Sequence, residues 1–297
     1  MYAYCAFGMD IRSVFPLTVL ERPEGYASEW MVEISEESVA LIPDLPWKIG
    51  RISYGSGLQW IQVEVPWAAR YRIEDDSRIL VEPVPGVAPG QVTVYLEGLV
   101  LPIMLRHHPL LVFHGSAVRN EGGAIVFLGT QGSGKSTAAA VATGFGYRVL
   151  CDDIVPISAS AMVLPGIPRL KLLPDAYGQI MGVPDPRAFD GVDKYRADLG
   201  VELSPSKIGA VVILESSGIG ALHLELLLGR EKIKGLLPHL CSIEGIDDPK
   251  GQFSRLTGYL GKTPVFKAVR PVEGWSAQTN VEQILAFIEG GQKSWCD

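Results

Sequence analysis

The chain has 297 residues, of which 47% are hydrophobic and 20% charged, and its formal net charge at pH 7 is −7. This composition excludes a disordered chain and predicts either one large domain or two modest ones. Because nucleic-acid binders present basic faces, the acidic balance argues against a nucleic acid as the main partner.

The cysteines and the apolar segments indicate the compartment. Cys5, Cys151, Cys241 and Cys296 are scattered, without the close pairs of a zinc site or a disulfide framework. The start of the chain has no signal-peptide pattern. Apolar segments such as "GLVLPIML" (98–105) are shorter than the ~20 residues of a membrane helix. The sequence therefore predicts a cytoplasmic protein without a membrane partner.

The first part of the chain reads as strands. The stretches "WMVEISEESVALIP", "RISYGSGLQWIQVEV" and "YRIEDDSRILVEPVP" combine alternating apolar residues with turn signals. The proline- and glycine-rich stretch "PVPGVAPGQ" (83–91) follows and resembles a linker. We therefore predict a β-rich domain over residues 1–87 and a second domain over residues 88–297.

The second domain alternates strands and helices. Its first segment, "QVTVYLEGLVLPIMLRHH", begins strand-like and becomes helical. "LLVFHGSAV" and "AIVFLG" then predict two strands joined by a hairpin, and "YRVLCDD" and "IGAVVILE" (208–215) predict two more. "LHLELLLG" and later stretches of the tail indicate amphipathic helices. An α/β sheet with helices packed against it is the predicted fold class.

The stretch "LGTQGSGKSTAA" (128–139) matches the P-loop pattern G-x-x-x-x-G-K-[ST] at every fixed position. Glycines let successive backbone N–H groups converge on an anion, and the following helix adds the positive end of its dipole. Lys135 reaches the β- and γ-phosphates, and the Ser136 hydroxyl ligates Mg²⁺. The sequence thus predicts an ATP and Mg²⁺ site, with GTP not distinguished from ATP. The predicted binding residues are Gly129, Thr130, Gln131, Gly132, Ser133, Gly134, Lys135, Ser136 and Thr137.

Two aspartates end the next predicted strand, and a histidine precedes the loop. Asp152 and Asp153 return to the loop end of the sheet, where one carboxylate can support the metal and the other can accept a proton from a hydroxyl. The alternative is a pair that only ends a strand. His114 lies at the end of the strand that enters the hairpin, where it is either a core residue or a member of the site. His107, His108, His223 and His239 are interpreted as structural or surface residues.

The order "FHGSAV", "IVFLGTQGSGKST", "GYRVLCDD" resembles the HPr kinase/phosphorylase family, bacterial protein serine kinases with a P-loop core. The resemblance covers about residues 110–157 and implies a related sheet with flanking helices. It also implies that His114 and Lys135 are catalytic, that Ser136 ligates Mg²⁺, and that Asp153 is the proton acceptor. Asp152 then supports the metal.

Further along, the chain departs from the bifunctional members of that family. The stretches "GIPRLKLLPDAYG" (166–178) and "DKYRADL" (193–199) resemble the kinases of lasso-peptide precursors, which phosphorylate a C-terminal serine. A transfer site also needs cations besides Lys135. The basic residues of these loops are the candidates, with Arg196 first and then Arg169, Lys171 and Lys194.

The predicted function is an ATP- and Mg²⁺-dependent kinase that phosphorylates a serine of a peptide or small protein, most specifically a lasso-peptide precursor. Two alternatives stay open. One is a small-molecule P-loop kinase, although such chains usually begin near their P-loop. The other is an ATP-binding switch without a phosphoryl acceptor. The sequence leaves the acceptor, the oligomeric state and any reverse reaction undetermined.

Overall fold

The structure is a computed structural model. It describes residues 1–18, 20–24, 26, 28, 30–49, 52–57, 60–167, 170–182, 195–197, 202–217, 221–271 and 277–291. The chain is mixed α/β and divides into two compact units. The first comprises Met1–Leu110 with Ser242–Gln252, and the second comprises Leu111–Cys241 with Phe253–Asp297.

A nine-stranded sheet forms the centre of the first unit, in the order β3-β1-β2-β4-β9-β8-β7-β6-β5. Neighbouring strands are antiparallel except for β2–β4 and β4–β9. The alternation of apolar and polar residues in the sequence corresponds to alternating burial in β8, where Tyr71 and Ile73 are fully buried and the residues next to them are not. The strands are β1 Tyr2–Ala6, β2 Met9–Ser13, β3 Leu20–Glu21, β4 Trp30–Glu36, β5 Trp47–Ile49, β6 Ile52–Ser56, β7 Trp60–Val65, β8 Ala69–Glu74 and β9 Arg78–Pro83.

Helical segments follow the sheet within the same unit. They are α1 Pro89–Tyr95, a π-helical turn Leu96–Val100, α2 Leu101–Met104 and a 3₁₀ turn Leu105–His107. Tyr71 Oη donates to the Val92 carbonyl at 2.8 Å, and Trp67 Nε1 donates to Tyr95 Oη at 2.8 Å. Because of these contacts the first unit extends beyond residue 87 and contains the proline- and glycine-rich stretch. Residues 91–95, which look strand-like in the sequence, are helical, and Pro89 occupies the first turn.

The second unit has a seven-stranded sheet whose central ladder runs β12-β10-β11-β16-β18-β17. β11, β16 and β18 are parallel neighbours, whereas β10 is antiparallel to both β11 and β12. A short strand, β13, bridges β12 and β16, and β14 pairs with β15 in a separate hairpin. The strands are β10 Leu111–Asn120, β11 Gly123–Gly129, β12 Arg148–Ile157, β13 Met162–Val163, β14 Leu170–Leu172, β15 Tyr195–Ala197, β16 Ser206–Ser217, β17 His223–Leu227 and β18 Val265–Pro271.

Helices cover this sheet and enclose two apolar layers. One layer joins Phe127 and Val212 of the sheet to the alanines of α3 and to Ile284 of α7. The other joins Phe113 and Leu128 to residues of α5 and α6. Small alanines let α3 approach the sheet closely. The helices are α3 Lys135–Thr143, α4 Pro174–Met181, α5 Gly229–Leu236, a 3₁₀ turn Leu237–His239, α6 Pro249–Leu260 and α7 Ala277–Gly291.

Two further features concern the helices. The "LHLELLLG" stretch, expected to be helical, contains strand β17, because its backbone pairs with β18 from His223 opposite Val269 to Leu227 opposite Val265. Within the described ranges, no helix combines the length and the apolar character that crossing a bilayer requires.

Candidate active site

The loop between β11 and α3 has the strand–loop–helix form that the sequence predicts. Gly129, Gly132 and Gly134 have φ values of 149°, 79° and 98°, a region that favours glycine. A Cβ on Gly129 would lie 2.6 Å from the Leu214 carbonyl oxygen of β16, so a larger residue does not fit there. Thr130, Gln131 and Gly132 are exposed at the rim of the loop, and Ser136 and Thr137 lie in the first turn of α3.

Lys135 is held within the loop. Its side chain is buried, and Nζ donates to the carbonyl oxygens of Gly129 and Thr130 at 3.0 Å each. Ser133 is also buried, and its backbone N–H donates to the Thr130 carbonyl at 3.1 Å. These bonds fix the loop backbone and keep the ammonium group beside it. Lys135 is therefore positioned to meet a phosphate bound by the loop.

Strand register brings both aspartates level with the end of β11. Asp152 pairs with Ser116 of β10, which pairs with Phe127 of β11, and Asp153 is likewise level with Leu128 through Gly115. The aspartates do not end their strand as expected, because β12 continues to Ile157. Pairing with β10 extends β12 past them.

Asp152 is buried and accepts three hydrogen bonds. Oδ1 accepts from Ser116 Oγ at 2.5 Å and from Ser136 Oγ at 2.9 Å, and Oδ2 accepts from the Lys171 backbone N–H at 3.0 Å. Burial raises the pKa of Asp152, the charge of Asp153 raises it further, and the hydrogen bonds oppose the rise, so that the pKa lies at about 6. Asp152 is therefore ionised at neutral pH and bonded directly to the predicted Mg²⁺ ligand.

The Ser136–Asp152 pair fits a magnesium site. Mg²⁺ binds through one or two protein oxygens and substrate phosphates and keeps several waters, so it does not require a cage of carboxylates. In the described part of the chain, no group of three or more His, Cys, Asp or Glu residues could hold a metal. Ser136 would bind the ion, and Asp152 would orient the Ser136 hydroxyl and balance the charge.

Asp153 differs from its neighbour in both conformation and exposure. Its φ is 66°, in the left-handed region that a non-glycine residue seldom adopts. Its side chain is 36% exposed, and Oδ2 lies 3.2 Å from Lys171 Nζ. The left-handed conformation of Asp153 thus turns its carboxylate outward, whereas the carboxylate of the preceding residue, Asp152, is buried. Asp153 is therefore the more exposed of the two carboxylates.

His114 is exposed and lies in the middle of β10, not in the core. Its Nδ1 is 3.0 Å from the backbone carbonyl oxygen of Asp153, so the contact is with the main chain and not with the carboxylate. A carbonyl oxygen only accepts, and Nδ1 therefore carries the proton, which places the lone pair of the neutral ring on Nε2. The contact orients the imidazole beside Asp153.

Among the predicted cations, Lys171 is the one that the structure places at the site. It contacts Asp152 through its backbone N–H and Asp153 through Nζ. The first choice, Arg196, pairs with Lys171 through strand β15, and its side chain lies outside the described residues. Arg169 and Lys194 also lie outside them.

Sequence analysis missed two residues of this edge. Ser116 lies two residues after His114 on the same face of β10 and donates to Asp152. Arg270 lies near the end of β18, and its Nε is 3.5 Å from the Ser133 carbonyl oxygen of the loop. The signal that could have indicated Arg270 is a basic residue near the end of a buried strand that runs parallel to β11, because the carboxyl ends of parallel strands share one edge of the sheet.

We expect Ser116→Ala to lower the free energy of unfolding by about 1.5–3 kcal/mol, because it removes a hydrogen bond to a buried, ionised carboxylate. Urea unfolding at neutral pH measures the change. Ser217→Ala, on the exposed end of β16, is the matched control and should change stability by less than about 0.5 kcal/mol. Equal, small effects of the two substitutions would remove Ser116 from the support of Asp152.

The raised pKa of Asp152 also predicts a pH dependence of stability. An acid whose pKa is higher in the folded chain than its unfolded value of about 3.9 favours folding while it is protonated. This contribution is fully present below about pH 4 and is lost as the pH rises through about 6. In metal-free buffer, wild type should therefore lose stability relative to Asp152→Asn between about pH 4 and pH 7. A constant difference between the two proteins over that range would contradict the raised pKa.

Comparison with known proteins adds little to this description. No family model matches the chain, and no curated protein matches it either. One similar solved structure is described as the Hpr(Ser) kinase/phosphatase from Coxiella burnetii. It has a TM-score of 0.28 and 10% sequence identity, and the match covers 62% of this chain and 99% of that one. A likeness of this strength assigns neither a fold nor an activity.

Proposed function

We propose that this protein is an ATP- and Mg²⁺-dependent kinase that transfers the γ-phosphoryl group to a serine hydroxyl of a peptide or small protein. The observation that carries the proposal is the 2.9 Å hydrogen bond from Ser136 Oγ to Asp152 Oδ1 at the start of the P-loop helix. P-loop enzymes use this pair of residue types to hold the Mg²⁺ of a nucleoside triphosphate.

The residues of the site divide into two groups by their position. Lys135 and the loop backbone bind the phosphates, and the positive charge of Lys135 stabilises the charge that develops during transfer. When bound, Mg²⁺ supplies further charge neutralisation. The second group faces the acceptor: Asp153 and the Nε2 of His114 are the groups that can accept the hydroxyl proton. In our proposal Asp153 is the base, and the ring of His114 lies beside it.

For the acceptor, we propose the C-terminal serine of a lasso-peptide precursor. The support is the resemblance of residues 166–178 to the kinases of such precursors, together with the position of Lys171 within that stretch. Lys171 contacts both aspartates and so lies on the side of the site where we propose that the acceptor enters. A backbone segment at that side can bind a peptide terminus through its own N–H and C=O groups.

The test uses Mg²⁺-ATP and two synthetic precursor peptides that differ only in ending in serine or alanine. We expect mass spectrometry to show one added phosphoryl group on the serine peptide and none on the alanine peptide. In parallel reactions, small polyhydroxy compounds replace the peptide, or no acceptor is added. Transfer to a small compound alone would indicate a small-molecule kinase. Nucleotide binding with no transfer to any acceptor would indicate a switch, and either result would contradict the proposal.

A further inference from the structure

Strand β14 holds the backbone of Lys171 in a fixed position beside the aspartates. Leu170 and Leu172, the residues before and after it, are each 1% exposed and belong to the apolar layer that contains the alanines of α3. The Lys171 N–H donates to Asp152 Oδ2 at 3.0 Å, which anchors the same backbone to the site. Because side chains alternate along a strand, burial of the two leucines directs the Lys171 side chain to the opposite face.

The ammonium group of Lys171 lies next to the carboxylate of Asp153 and within reach of solvent. Nζ is 3.2 Å from Asp153 Oδ2, and the two side chains are 41% and 36% exposed. An ion pair this exposed contributes little to stability. An ammonium group has three N–H donors, so it can contact a second carboxylate without leaving Asp153. The pair is therefore accessible to a ligand that carries an anionic group.

A serine at the end of a peptide carries two groups that this pair of residues can bind. Its hydroxyl and its α-carboxylate belong to one residue, with roughly 3–5 Å between their oxygens. A hydroxyl bonded to the Asp153 carboxylate therefore brings the terminal carboxylate within reach of Lys171 Nζ. Without a cation at that position, the terminal carboxylate would be repelled by Asp153 and by the triphosphate.

We propose that Lys171 binds the terminal α-carboxylate of the acceptor and so selects a serine at the C-terminus over an internal serine. The proposal rests on the proposed function, because it assigns the acceptor hydroxyl to Asp153. Lys171 determines specificity in this arrangement and takes no part in the proton transfer. Capture of a C-terminal carboxylate is a recurring mode of peptide recognition.

The first test compares three precursor peptides with wild-type protein and Mg²⁺-ATP. One ends in serine with a free carboxylate, one ends in serine amide, and one carries an additional alanine after the serine. The amide removes the terminal charge, and the alanine moves it by about 3.8 Å. We expect kcat/KM to be about 10–100-fold lower for both altered peptides, because a charged hydrogen bond is lost. Equal kcat/KM for the acid and the amide would overturn the proposal.

The second test uses variants of Lys171 to separate carboxylate binding from a structural role. Lys171→Gln should raise KM for the acid peptide to about that of the amide, with kcat and the KM for the amide nearly unchanged. Lys171→Arg should keep the preference for the acid. Lys234→Gln is the matched control, since Lys234 is also exposed and paired with a carboxylate, that of Glu231, at 2.8 Å; it should behave as wild type. An equal loss of activity on both peptides in Lys171→Gln would overturn the proposal.

A binding measurement distinguishes failure of this inference from failure of the proposed function. If wild type phosphorylates none of the three peptides, the proposed function fails. Fluorescence anisotropy of labelled acid and amide peptides then tests the inference by itself. Tighter binding of the acid peptide that is lost in Lys171→Gln supports it, and equal binding of the two peptides overturns it.

Discussion

Lys135→Ala is expected to lower phosphoryl transfer by about 10²–10³-fold, because it removes the cation that, in our proposal, stabilises the developing charge on the phosphates. Lys135 Nζ lies beside the loop, bonded to the Gly129 and Thr130 carbonyls. Removing those bonds should lower the free energy of unfolding by about 1–3 kcal/mol, because Lys135 is buried and Gly129 lies at the buried end of β11, whereas Thr130 is exposed. Steady-state kinetics with Mg²⁺-ATP and urea unfolding measure the two effects.

Lys234→Ala provides the matched control for this experiment. Lys234 is an exposed lysine on α5 whose Nζ pairs with Glu231 at 2.8 Å, and it lies outside the proposed site. The control should transfer phosphate at the wild-type rate. Unchanged turnover in folded Lys135→Ala would remove the P-loop from the reaction, and with it the entire functional proposal.

The second large effect separates the two aspartates. Asp153→Asn is expected to lower transfer by about 10²–10⁴-fold while nucleotide and metal affinity stay nearly intact, because we propose that this partly exposed carboxylate is the proton acceptor. Asp152→Asn should first weaken the response to Mg²⁺, since the buried carboxylate accepts the Ser136 hydrogen bond and, in our proposal, balances the charge of the metal. High Mg²⁺ should restore part of its turnover. Titration of transfer against Mg²⁺ in both variants measures the difference.

A second pair of adjacent aspartates supplies the control. Asp76→Asn changes an exposed residue of the turn between β8 and β9 and should leave the Mg²⁺ titration unaltered. Rescue of Asp153→Asn by metal, with no rescue of Asp152→Asn, would show that the two assignments are exchanged. Wild-type turnover in both variants would leave the pair with a structural role only.

Local sequence signals predicted the phosphate loop well, because glycine spacing and a following alanine-rich helix determine its geometry within a few residues. The β-branched stretch at 91–95 and the "LHLELLLG" stretch misled the sequence analysis for a common reason. In each case tertiary contacts decide the structure: Tyr71 and Trp67 contact helix α1, and β18 pairs with β17. A short apolar segment is compatible with a helix or a strand, and its tertiary contacts decide between the two.

The residues that reach the site from distant segments of the chain could not be predicted from local sequence signals. Ser116 reaches Asp152 through strand register, and Arg270 reaches the loop from the end of β18, neither of which the sequence encodes locally, whereas Lys171 was predicted only as one of four candidate cations. The left-handed φ of Asp153, 66°, is likewise imposed by the surrounding strands. The sequence analysis predicted that one aspartate would face the metal and the other the acceptor; the structure shows that Asp152 is buried and Asp153 is partly exposed, and the two roles stay predictions.

The most direct test of the central claim is a crystal structure of this chain with Mg²⁺ and a non-hydrolysable ATP analogue. We expect the β- and γ-phosphates within the 129–137 loop, Lys135 Nζ within hydrogen-bond distance of the γ-phosphate, and Mg²⁺ on Ser136 Oγ with Asp152 beside it. The carboxylate of Asp153 and the ring of His114 should then face the open side of the γ-phosphate. A nucleotide bound elsewhere, or phosphates in the loop with Asp153 directed away from them, would contradict the account.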